Sequence, residues 1–195
     1  IIGTQINLTV DNHIGKITLY ATSEQGYKNL TKLSSLSYLK KKDLHDPYCQ
    51  VDDLIHNNQD LIILTGNYNN FFGKLFYKNK IKYFEKIIEK LKSSFKDRLY
   101  IEIQRHGELK EKSYENYLFK ISSVYNLPLI ASQEVFYLNE DMAEAHDALV
   151  CIGEKQFVED QSRFRYSDQH YIKKNEELEK LYKDIPEALE NNYNF

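Results

Sequence analysis

The chain has 195 residues, 42% of them hydrophobic and 28% charged, and its 26 basic and 29 acidic side chains leave a formal net charge of -3. A chain of this length supports one domain with its own core. The composition excludes a disordered chain, and the near-neutral balance argues against a dedicated nucleic-acid-binding module, which would be distinctly basic.

Two cysteines, Cys49 and Cys151, stand far apart without a CxxC spacing. That excludes a disulfide framework or a zinc knuckle and fits a reducing compartment. The longest apolar runs are too short to span a bilayer. No charged segment followed by an apolar one marks a signal peptide. The start, Ile1-Ile2-Gly3, reads as the interior of a buried element, so the chain is expected to be a piece of a longer protein.

Residues 2–10 alternate apolar and polar side chains, as a half-buried strand does. Asp11-Asn12 supplies turn chemistry, and 16–21 reads as the returning strand. Ser23 is placed as the N-cap of a helix with apolar positions at Tyr27, Leu30, Leu33, Leu36 and Leu39. Residues 40–48 are expected to be a loop, and 51–56 a short helix whose Asp52 and Asp53 sit at its positive end. The continuous apolar run of 61–66 suits a strand buried on both faces. Helical spacing then runs from Phe71 to Leu91 with a break near Asn79, followed by a strand at 99–103, a helix at 111–125 and a strand at 127–132. Asp141 and Glu144 are placed as a capping pair for a helix over 142–151. Residues 176–182 and 186–191 are read as short helices, the second with Pro186 in its first turn. This alternation implies an α/β fold with parallel βαβ units, either open or curved into part of a barrel.

No Gly-rich phosphate loop, dinucleotide fingerprint or nucleophile elbow occurs. The candidate site residues are those at or just after strands, where α/β folds place their chemistry: Gln5, Asn67, His106 and Glu134. As metal ligands they are a poor set, with one imidazole, one carboxylate and two amides.

Several phrases together resemble the PHP (polymerase and histidinol phosphatase) domain of bacterial DNA polymerase III alpha subunits. They are LYIEIQRHG at 99–107, LPLIASQEVFYL at 127–138, EAHDALVCI at 144–152, DIPEALEN at 184–191, IIGTQ at 1–5, EQGYKNL at 24–30 and LTG at 64–66. They occur in the family's order and span the chain.

The resemblance implies a PHP-type distorted (β/α) barrel, with 1–195 a partial domain. The family's opening His-x-His segment would lie before Ile1 and the polymerase palm after Phe195. The barrel is therefore expected to be incomplete, lacking its first strands and exposing an unpaired sheet edge. Active members of the family hold metals at the C-terminal face of the barrel and remove nucleotides from a 3′ end. Against that pattern this chain has Gln5 for a glutamate, Asn67 for a cysteine, Glu134 for an aspartate and Phe136 for a histidine; only His106 matches. Amides in place of carboxylates cannot offset the cost of stripping water from a divalent ion.

The resemblance thus implies a degenerate, metal-free pocket and no catalytic residue in this stretch, with a structural or partner-docking role. The parent would be the cytoplasmic replicative polymerase, using magnesium in its palm domain. Its expected partners are the rest of the alpha chain, the proofreading exonuclease and other replisome subunits, and primed DNA through later domains, with no membrane. The alternatives are a metal-dependent PHP phosphoesterase or 3′–5′ exonuclease, and a non-enzymatic α/β interaction domain. Under the metal-free reading, replacing His106 with Ala is expected to cost on the order of 1 kcal/mol.

Overall fold

A computed structural model of the chain describes residues 1–39 and 46–194. Its centre is a six-stranded mixed sheet in the order β3-β1-β2-β4-β5-β6. β1 (Ile2–Val10) and β2 (His13–Ala21) form an antiparallel hairpin with Val10 opposite His13. Asp11 and Asn12 make the two-residue turn at φ 44° and 63°. Both are residue types that tolerate positive φ in such a hairpin.

β2 also pairs antiparallel with β4 (Leu61–Leu64). From there the sheet is parallel, β4 to β5 (Leu99–Gln104) and β5 to β6 (Leu129–Ser132). The expected parallel βαβ pattern therefore holds for half of the sheet. The short β3 (Tyr48–Gln50) runs parallel to β1 opposite Asn7–Thr9. Tyr48, read as the end of a loop, opens this strand; residues 40–45 of that loop lie outside the described residues.

Among the described residues the sheet does not close. β1 lies between β2 and β3, so the sheet's edge strands are β3 and β6. The outer carbonyls of β6 are not left bare, because Asn191 Nδ2 donates to Leu129 O at 2.7 Å and Asn192 Nδ2 to Ala131 O at 3.1 Å. Side chains thus do what a further strand would do.

Most of the helices pack against one face. α1 (Glu24–Leu39) starts where expected, with Ser23 Oγ accepting the Gly26 N–H at 3.1 Å. α2 spans Val51–His56. The helical pattern over 71–91 divides into α3 (Phe71–Tyr77) and α4 (Ile81–Phe95). Asn79 stands between them at φ 56°, a left-handed conformation that asparagine adopts at low cost. α4 buries Phe84, Ile87, Ile88, Leu91 and Phe95, the stripe of a helix lying on a core. α5 (Glu111–Tyr125) ends in a left-handed Asn126. α6 (Ala143–Glu154), α7 (Asn175–Leu181) and α8 (Pro186–Glu190) follow.

The proposed Asp141/Glu144 cap does not form. A 3-10 turn over Glu140–Met142 leads into α6, and its N-cap position, Met142, makes no side-chain cap bond.

The two faces of the sheet are chemically different. Leu61 and Ile63 join the large helix-side core with Leu8, Leu19, Phe71 and Ile101. The opposite face carries a small cluster of Ile62, Leu64, Tyr100 and Ile130. Register places Gln5, Thr18, Leu64 and Tyr100 in one row on this second face. Among the described residues no helix is long and apolar enough to cross a membrane.

Candidate functional site

The C-terminal ends of β4, β5 and β6 converge, and four of the five sequence-identified positions meet there. Asn67 follows β4. Its Oδ1 accepts the Asn69 N–H at 2.9 Å, closing a local turn, and its Nδ2 donates to Gln104 Oε1 at 3.1 Å. Both ends of the amide are therefore committed. Gln5 lies two strands away on the same face, exposed, where its Nε2 reaches Thr18 Oγ1 at 3.4 Å.

His106 is the hub. It is 2% exposed at the end of β5. The Glu134 N–H donates to its Nε2 at 3.0 Å, so that nitrogen is the acceptor. Nδ1 then carries the proton and donates to Glu111 Oε1 at 3.0 Å. The same carboxylate accepts the backbone N–H of His106 and of Glu108. The lone pair that a metal would need is already engaged.

A column of rings rises from His106. His170 stacks on it at 4.1 Å with planes 2° apart, Phe136 stacks on His170 at 4.8 Å, and His146 stacks on Phe136 at 4.9 Å. Tyr166 meets Phe136 edge-on. Phe136 thus serves as the central plate of an aromatic stack. His170 is held by its Nδ1–H, which donates to Glu134 O at 2.9 Å, while its Nε2 faces Glu108 Oε1 at 3.9 Å. Burial, then the neighbouring His106, push its pKa down to about 4. The Glu134 carboxyl is shifted up by burial, opposed by His106 and Lys16.

Linked to Asn67 through Gln104 is a buried carboxylate that sequence reasoning missed. Glu102, in the middle of β5, accepts from Ser132 Oγ and from Gln104 Nε2. Burial raises its pKa against those hydrogen bonds. An acidic residue inside an otherwise apolar strand was the available signal. His146 lies in the quoted phrase EAHDALVCI but carried no sign of stacking on Phe136, and His170 had no signal, because its position depends on a loop that returns from 155 to 170.

Arg105 locks this end of the fold. It forks onto Glu115 of α5, bonds Asp184 and the Leu181 carbonyl, and lies over the Tyr182 ring at 5.2 Å. Tyr182 in turn donates to Ser132 O at 2.9 Å. Asp184 holds its carboxyl below the usual range through the same arginine. Among the described residues, no group of three His, Cys, Asp or Glu side chains is gathered as metal ligands would be.

The comparisons with known proteins follow the same lines. The chain is 34% identical over 195 residues to the DNA polymerase III subunit alpha of Vibrio cholerae, a match covering 98% of this chain and 17% of that protein. It is 33% identical over 175 residues to the subunit of the same name from Caulobacter vibrioides, covering 90% and 15%. With that of Borreliella burgdorferi it shares 34% over 189 residues, covering 94% and 16%. The chain therefore spans about a sixth of the length of these curated relatives. The family model for the PHP domain matches residues 1–106, more than half of the chain and every strand but β6, and on that match the chain belongs to the PHP domain family.

Proposed function

We propose that this chain is the PHP domain of a bacterial DNA polymerase III alpha subunit, that its pocket is metal-free, and that its role in the parent is structural. The observation that carries the parentage is the continuous match to alpha subunits over 98% of the chain. The metal-free reading rests on side-chain chemistry. Gln5 and Asn67 carry no charge, Phe136 offers no ligand atom, and both nitrogens of His106 are engaged in hydrogen bonds. A divalent ion placed here would have to displace the Glu134 amide from His106 and part the ring column, with the Glu134 carboxylate as the one anionic group among the five positions.

DNA synthesis, with its magnesium, belongs to a palm domain elsewhere in the parent. Primed DNA is held there too, and the proofreading exonuclease and other replisome subunits are the separate partners of a cytoplasmic enzyme. In this reading the ring column and the Arg105 network keep the former active end rigid.

The test uses the full-length protein encoded by the complete gene. Primer extension with magnesium, and elemental analysis without stoichiometric zinc, manganese or iron beyond the palm's requirement, are the expected results. A downstream sequence without a polymerase palm overturns the parentage. Tightly bound metal lost on His106→Ala, together with a metal-dependent 3′ exonuclease activity, overturns the metal-free reading.

A further inference from the structure

The α6 unit carries its apolar stripe on the wrong side for a helix that ends at its own core. Met142, Ala145, Leu149 and Ile152 recur at spacings of three and four residues and lie on one face. That face points outward, with Leu149 65% and Ile152 76% exposed. Phe157, just beyond the helix, extends the same apolar surface at 78% exposure.

The unit is not a loose tail. Its inner side buries Cys151 and stacks His146 on Phe136. Asp147 is forked by the buried Arg163 of the returning loop, which holds that carboxyl below the usual range. These anchors fix the orientation, so the stripe is held toward solvent by construction.

The charge around it is one-sided. Residues 139–160 contain seven acidic side chains and a single lysine. One of the seven, Asp147, is neutralised by Arg163. Glu140, Asp141 and Glu144 are exposed at the N-terminal end of the stripe. An apolar stripe with an acidic end fits an apolar surface bordered by lysine and arginine.

We propose that this face docks a basic-rimmed amphipathic segment of the parent's own polypeptide, from the part beyond Phe195. The inference rests on the parentage proposed above, and the observation behind the choice of occupant is length. The relatives are about six times longer than this chain, so most of the polypeptide lies outside these residues. Docking in cis loses less freedom than capture of a separate partner.

The experiment uses the full-length parent with a photo-crosslinking phenylalanine analogue at Ile152, an exposed position outside the pocket. The expected result is an intramolecular crosslink, at monomer mass, to a peptide beyond residue 195 carrying apolar residues flanked by lysine or arginine. Hydroxyl-radical footprinting of the unmodified parent should find Met142 and Phe157 oxidised roughly tenfold more slowly than in urea, as for covered side chains. The double change Asp141→Lys and Glu144→Lys should lower the crosslink yield several-fold. A crosslink at dimer mass, one formed only when a separate subunit is added, or no crosslink together with freely oxidised Met142 and Phe157, overturns the proposal. The parentage fails separately, through a gene that continues into no polymerase palm, whatever Ile152 crosslinks to.

Discussion

His106→Ala is the most informative single change, because geometry assigns it a larger cost than sequence alone suggested. Removing the ring leaves the Glu134 N–H without its acceptor in a part-buried place, worth about 1–3 kcal/mol. It also removes one plate of the column, where His106 and His170 lie 4.1 Å apart, worth about 1 kcal/mol more. Glu111 is affected less, since two backbone amides still bind it. The expected destabilisation is about 3 kcal/mol, against the 1 kcal/mol or so for a single hydrogen bond at a strand end. In a chain of this size that is a fall in Tm of roughly 9 °C. Urea titration followed by circular dichroism measures it, with the same substitution in the full-length parent as a check. His106→Gln, which can still present an acceptor near the Nε2 position, should recover about 1 kcal/mol. A loss below about 1 kcal/mol for the alanine variant, or no difference between Ala and Gln, refutes the hydrogen-bond reasoning.

Three further outcomes are expected. The pKa of His170 falls from the ordinary 6.5 to about 4 in the folded chain, so the unfolded state takes up this proton first as the pH drops. Stability should therefore decline between pH 6.5 and 4, and His170→Gln should flatten that part of the profile; an unchanged slope in denaturation series across this range would contradict it. Ser23→Ala removes the cap on the Gly26 N–H and should cost about 1 kcal/mol by the same titration, while Ser23→Asp should restore most of it. A Cβ at Gly26 would come within 2.2 Å of the Asp60 carbonyl oxygen, so Gly26→Ala should force α1 off the β4 end and lower Tm far more than an exposed Gly→Ala change; a neutral effect would mean that this contact yields freely.

How much of this was legible in the chain depends on the range of the interactions. The alternation of 2–10, the apolar run at 61–64 and the spacing of Phe84, Ile87, Ile88 and Leu91 read directly, because strand and helix periods are local. So did Ser23 as a cap and the break at Asn79, since capping and left-handed backbone are decided within a few residues. The Asp141/Glu144 cap misread a local pattern, because a 3-10 turn shifts the start of α6 past the expected register.

By itself, then, the sequence determined most of the elements, the family and the uncharged side chains at Gln5 and Asn67, all of which are properties of residue type and spacing. Only the tertiary structure decided that β2 also pairs antiparallel with β4, and that Asn191 and Asn192 cover the edge of β6. It alone decided that His106 spends both nitrogens on Glu111 and Glu134, and that His170 and Phe136 fill the space above it. The physical reason is distance along the chain. Hydrogen bonds and ring contacts between residues 106, 134, 136, 146 and 170 carry no periodic signature, and they exist only once the sheet and the returning loop have brought those side chains together.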